Sequence, residues 1–134
     1  MKKTLISIIL DESSQKKVKQ LLSVFYLDDV EVKYVDWVIR CDHVTLVFGI
    51  PTQEQLNYVG KQVELKIDKL GHNDNAIAAH VVLDGIKSNN KNPHITMAFD
   101  PITGKGGFES NSITQWNVIP ELLLSGTIKN GHKR

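Results

Sequence analysis

Cysteine is nearly absent from this chain: Cys41 is the one example in 134 residues. No disulfide can close within a single copy, so a reducing compartment, the cytoplasm, is the simpler expectation. Excess charge is absent too. Sixteen lysines and arginines stand against fifteen acidic residues, for a formal net charge of +1. A protein that neutralises the phosphates of a long duplex is ordinarily more basic. Long duplex nucleic acid is therefore excluded as a partner, while a short anionic ligand, which needs only a local pocket, is not. Long apolar runs are also missing. "TLISIIL" at 4–10 falls far short of the roughly 20 residues that cross a bilayer. It follows Lys2 and Lys3 as a signal peptide would, but "DESSQKK" comes next with no small-residue cleavage site, so no membrane and no export are expected. There is no linker, low-complexity segment or short-period repeat, which leaves one domain over 1–134, expected as a monomer rather than an obligate oligomer.

What is present is a globular composition, 41% hydrophobic and 23% charged, long enough to bury a core. Residues 4–10 read as a buried strand. Asp11 or Ser13 can cap a helix over 14–26, in which Val18, Leu21, Leu22 and Phe25 recur at helical spacing and Lys16, Lys17 and Lys19 lie outside. Strands are expected over 30–39 and from His43 to Gly49, the latter ending at Pro51, with Phe48 on the core side if alternation holds. A short helix over 52–61 would be capped by Thr52 and stopped by Gly60. "QVELKIDKL" (62–70) and "AIAAHVVL" (76–83), joined by "GHNDN", make an antiparallel pair. Strands at 93–99 and 121–128 flank a long glycine-containing loop over 100–112. Many strands with two helices predict an α+β fold built on an antiparallel sheet.

Two stretches repeat one idea. "DHVTLVFG" (42–49) and "PHITMAFD" (93–100) each carry histidine, an apolar residue, threonine and another apolar residue. On a strand, residues i and i+2 share a face, so His43 and Thr45 point one way, as do His94 and Thr96, with Val44, Leu46, Ile95 and Met97 turned to the core. Strands favour threonine, so one such match means little. Two among five histidines are expected in roughly 0.5% of chains by chance, or ~2% allowing for strand bias; His72, His80 and His132 lack the pattern. Two imidazoles and two hydroxyls around one cleft suit a phosphodiester. In-line displacement needs a base at the attacking oxygen and an acid at the leaving oxygen. Histidine, with an unperturbed pKa of about 6.5, serves as either. Threonine hydroxyls can donate to the non-bridging oxygens. Neither metal nor cofactor is required.

"HVTL" and "HITM" resemble the paired H-x-[ST]-x signature of the two-histidine (2H) phosphoesterases, their histidines at 43 and 94 in the right order and compactly spaced. "PHITMA", "GFESNSI" (107–113) and "LLSGTI" (123–128) look like the cyclic phosphodiesterase domain of fungal-type tRNA ligases, and the brevity is similar to small phage members that destroy cyclic oligonucleotide signals (anti-CBASS phosphodiesterases). The likeness covers most of the chain after residue 35; the first strand and helix agree in order only. It implies a bilobal fold, antiparallel sheets lining a concave cleft with helices outside, each of two pseudo-symmetric lobes giving one motif strand. It also implies metal-independent cleavage of 2′,3′-cyclic phosphates or of 2′–5′ or 3′–5′ linkages, in a nucleotide, a cyclic oligonucleotide or an RNA end. Carried over by position, His43 and His94 are the acid–base pair and Thr45 and Thr96 hold phosphate; which histidine is the base depends on how substrate lies.

Around these motifs stand further candidates. Lys105 in "ITGKGGFESN" could approach phosphate oxygens, with Ser110 or Asn111 donating hydrogen bonds, although a solvated loop explains the segment equally well; its spacing is not that of a Walker A loop. Trp116 is the best base-stacking candidate, ahead of Trp37, Tyr58 and Phe48, for which core packing is the simpler account. Lys87 and Lys91 could add local positive potential. Cys41, Asp42 and His43 with His72 or His80 lack regular ligand spacing for a metal. Asp42 reads as a strand-start residue and His80 as a satisfied core or cleft-edge histidine. The alternative to an enzyme is a non-catalytic nucleotide- or RNA-binding module that grips phosphate with the same His–Thr pairs; a metal hydrolase is a third reading.

Overall fold

Asp11 ends a strand and starts a helix. In the computed structural model, which describes residues 4–27, 36–103 and 110–131, β1 (Thr4–Leu10) runs into α1 (Glu12–Leu22). The Asp11 carboxylate accepts the Ser14 N–H at 2.8 Å, which satisfies one of the helix's orphan donors. Ser14, Val18 and Leu22 form the buried stripe; burying each of the last two is worth about 1.5–3 kcal/mol. The expected stripe breaks at Phe25, which is half exposed. The chain passes into a π-helical turn over Ser23–Leu27, whose wider pitch rotates Phe25 off the apolar face.

Of the strand expected over 30–39, residues 30–35 lie outside the described residues, residues 36 and 37 are turn and coil, and only β2 (Val38–Ile39) is strand. β3 (His43–Gly49), β4 (Gln62–His72), β5 (Ala76–Val82) and β6 (His94–Phe99) follow near their expected positions, with β4 extended through Gly71 and His72, while α2 (Gln53–Asn57) is shorter than the expected 52–61 and ends at Tyr58, before Gly60. Thr52 caps α2 in a reciprocal capping box with Gln55. The last strand, β7 (Trp116–Asn130), is longer at both ends than 121–128. It absorbs Trp116, which lies outside the expected strand.

Every strand pairing is antiparallel. The order is β2-β6-β3-β1-β7-β4-β5, and β5 pairs back to β6. The hydrogen-bonding path therefore closes through six strands, with β2 appended: an α+β protein with a barrel-like sheet and few helices among the described residues. One registered row crosses the whole ring, Ile128, Ile8, Val44, Ile95, Ala79 and Leu70. Each of these is 2% exposed or less, and with Val18 and Leu22 of α1 they form one core cluster. Gly126 is required where β1 and β7 cross closely: a Cβ there would lie 2.5 Å from the Ile9 carbonyl oxygen.

Phe48 corrects the simple alternation. It is 69% exposed. Ser7 is in register with Thr45 but Ile6 with Val47, so β3 carries one extra residue and both Leu46 and Val47 are buried. The bulge inverts the faces beyond it and sends Phe48 outward.

Candidate active site

Because strand side chains alternate, the residues flanking the core row all point to the opposite face. The registered pair Val44 and Ile95 joins β3 to β6. One step along the antiparallel ladder brings Thr45 beside His94, while on the other side of the pair the Cys41 N–H bonds the Thr96 carbonyl, so Cys41 stands opposite Thr96 and His43 lies in the bulge between. His43 and His94 lie on adjacent strands, each next to one member of the Val44–Ile95 pair.

These rows continue in register on both sides. Thr45 faces Ser7 of β1; His94 faces His80 of β5, which faces Lys69 of β4. In the second row His43 faces Ile9, and Thr96 faces Ala78, which faces Gly71, which faces Trp116. The four motif residues are therefore brought together on one sheet face.

Cys41, at φ +62°, makes the left-handed turn that enters β3. Its N–H bonds the Thr96 carbonyl at 3.0 Å, so Asp42 and His43 bulge between that contact and the Val44–Ile95 pair. The Asp42 carboxylate lies 2.7 Å from His43 Nδ1. That hydrogen bond holds the Asp42 carboxyl below its ordinary pKa, against partial burial, with His43 and Arg40 adding favourable charge. His43 is only 5% exposed and Thr96 6%, while Thr45 and His94 are half-buried. His94 Nδ1 is 2.9 Å from the Asn92 carbonyl oxygen. Both rings thus direct Nδ1 at an oxygen.

Ser110 is 2% exposed, and its Oγ lies 2.9 Å from Thr96 Oγ1, so this candidate meets a motif residue directly. Asn111 is exposed and accepts a hydrogen bond from Asn90 at 3.3 Å, which ties its side chain to the 87–92 loop. Trp116 packs edge-on against His80, ring centroids 5.7 Å apart. It lies over Gly71, where a Cβ would fall 2.7 Å from the indole. Lys105 lies outside the described residues.

Three residues were missed from sequence. Asp42 supports His43; an acid next to a motif histidine was the available signal. Asp68, 2.8 Å from His80 Nδ1, sits at a bulge in β4 that period-two counting passes over. Ser7 is wholly buried, and its Oγ has no hydrogen-bond partner among the described residues. Among the described residues, no three His, Cys, Asp or Glu side chains group as metal ligands, and no helix is long and apolar enough to cross a membrane. A separate hollow of about 320 Å³, lined by Asp11, Gln62, Val63, Glu64, Ser125 and Gly126, carries two acids and no base, which disfavours an anion.

No family model matches the chain, and no curated protein matches it. Thirty solved chains do. One is the crystal structure of TT0787 of Thermus thermophilus, with a TM-score of 0.49 and 12% identity over 96% of this chain and 84% of that one. A likeness at that level carries no argument about chemistry, which rests on the site.

Proposed function

We propose that this protein is a metal-independent phosphodiesterase of the 2H type, cleaving 2′,3′-cyclic phosphate ends, cyclic nucleotides or cyclic oligonucleotides, or 2′–5′ and 3′–5′ linkages. The observation that carries the reading is the Val44–Ile95 register, which joins the two His-x-Thr strands as neighbours in one sheet. On this reading the two copies would belong to the two lobes of a bilobal 2H fold.

In the reaction, Nε2 of one histidine takes a proton from water as its oxygen bonds phosphorus. The other histidine gives a proton to the departing 2′- or 3′-oxygen as that P–O bond breaks. Thr45 and Thr96 donate to the non-bridging oxygens, and Ser110 holds Thr96 for that task. Either histidine can be the base, depending on which way the nucleotide enters. The carboxylate behind His43 fixes its tautomer and steadies the ring as it takes up charge.

A second reading, a non-catalytic phosphate grip, draws on the near-complete burial of His43. Turnover separates the two. With a panel of 2′,3′-cyclic mononucleotides, 2′–5′ oligoadenylate and cyclic di- and trinucleotides, product identified by mass is expected in the presence of chelator. His43→Ala and His94→Ala should each lower kcat by at least about 10³-fold, within the range for a lost acid or base, while binding survives. No product from any substrate at any pH makes the protein a binder, and turnover indifferent to both substitutions overturns the mechanism.

A further inference from the structure

We propose that Lys69 and His80 form a second phosphate subsite beside the His–Thr centre, so that the preferred substrate carries a phosphate next to the scissile one: an oligonucleotide rather than a mononucleotide. This rests on the phosphodiesterase reading above and narrows its substrate.

The row Lys69–His80–His94 runs in register across β4, β5 and β6 on the motif face. Strands lie about 4.8 Å apart, so Lys69 starts about 10 Å from His94, within the span of neighbouring groups on one nucleic acid strand. The local fold builds this row through a bulge. Ile67 pairs with Val81 and Lys69 with His80, which leaves Asp68 as an extra residue in β4. The bulge puts Asp68 and Lys69 on the same face, where strict alternation would separate them. Asp68 then reaches His80 Nδ1 at 2.8 Å, and Trp116 meets the ring edge-on from the other side.

An imidazole fixed from two sides, 22% exposed, contributes little to the core. With Nδ1 turned to Asp68, its Nε2 is left to meet a phosphate oxygen when protonated or a ribose hydroxyl when neutral. The Asp68 charge is engaged by that ring, whereas the Lys69 ammonium makes no ion pair among the described residues. Trp116 beside His80 offers an apolar surface for the attached base.

The test compares a dinucleotide ending in a 2′,3′-cyclic phosphate with the matching cyclic mononucleotide. The wild type should favour the dinucleotide in kcat/KM by tenfold or more, about 1.4 kcal/mol. Lys69→Gln and His80→Asn should each bring that ratio towards one, and Lys69→Arg should keep it. A wild-type ratio near one, or substitutions that slow both substrates equally, overturns the subsite. Calorimetric binding of the 3′-phosphorylated dinucleotide and mononucleotide supplies an arm independent of turnover. If neither cyclic phosphate is cleaved but the dinucleotide binds tenfold tighter in a Lys69-dependent way, the subsite stands and the phosphodiesterase reading fails. Equal binding of the two, with the mononucleotide cleaved, does the reverse.

Discussion

Ser110 Oγ and Thr96 Oγ1 lie 2.9 Å apart, both nearly sealed from solvent. They stand fourteen positions apart in the chain. A threonine hydroxyl that donates to phosphate must have its rotor fixed, and a serine donating to it does that. Ser110→Ala is expected to lower kcat/KM several-fold and to destabilise the fold by about 0.5–1.5 kcal/mol, the ordinary loss for one hydrogen bond. Ser110→Thr, which keeps the donor, should recover most of the activity. Progress curves on a cyclic phosphate with parallel thermal melts check both effects.

Asp42→Asn separates orientation from mere structure. The substitution keeps the size of the side chain but lets an amide replace the carboxylate beside His43 Nδ1, so the fixed tautomer is lost. The expected result is a fall in kcat of about 10²-fold, by analogy with metal-bound and triad histidines stripped of their carboxylate, with KM little changed. Stability should respond at the acid end. The Asp42 carboxyl is held below its ordinary pKa of 3.8 by His43, so its contribution is present above pH 3.8 and lost as pH falls through the lower folded value. The variant should lose less stability than the wild type over that descent, as read by denaturant melts at graded pH. A kcat unchanged in Asp42→Asn would remove Asp42 from the proposed machinery.

The sequence made some of this legible and hid the rest for identifiable reasons. Val44 and Ile95 sit at the centre of the two motifs, so a period of two put His43 with Thr45 and His94 with Thr96 each on one face of its own strand, and that the two strands are neighbours in one sheet came only from the pairing. Thr52 and Asp11 declared their helices by cap chemistry. Register, in contrast, is a property of two strands together. That His80 stands opposite His94, or Lys69 opposite His80, follows from bulges at Asp68 and near Ile77 whose residues carry no distinctive signal. Phe48 went astray for the same reason, one extra residue in β3. Trp116 lies outside the strand expected over 121–128, while β7 runs from Trp116 to Asn130 with Pro120 inside it.

Cys41 gives a pH test of the turn that enters β3. Its side chain is fully buried, and the thiol donates to the Met97 carbonyl at 3.4 Å. Burial pushes its pKa up to about 12 from 9.0, outweighing the favourable charge of Lys19. Below pH 9 the thiol is protonated in both states and its full contribution is present. Between pH 9 and pH 12 the unfolded thiol ionises and the folded one does not. Stability should fall with rising pH by up to about 4 kcal/mol, at about 1.36 kcal/mol per unit. Cys41→Ser, which does not titrate there, should show a shallower decline. Parallel declines would mean that the thiol meets solvent, and so would rapid labelling of the native protein by a thiol reagent.

Ser7 poses a cost that the fold carries without a visible return in stability. It faces Thr45 across β1 and β3 and is wholly buried, and its Oγ has no partner among the described residues. An unsatisfied buried hydroxyl is unfavourable by about 1–3 kcal/mol, so Ser7→Ala should raise stability, by about 1 kcal/mol once the small cavity left by the oxygen is counted. Ser7 is the register partner of Thr45, so on the proposed mechanism its hydroxyl would donate a hydrogen bond to Thr45 Oγ1 when Thr45 donates its own to a phosphate oxygen. Ser7→Ala should therefore be more stable and several-fold slower, its kcat/KM loss no greater than that of Thr45→Ala, and the pair should be less than additive in a double-mutant cycle. Full activity in a stabilised Ser7→Ala protein would assign Ser7 to neither the site nor the core.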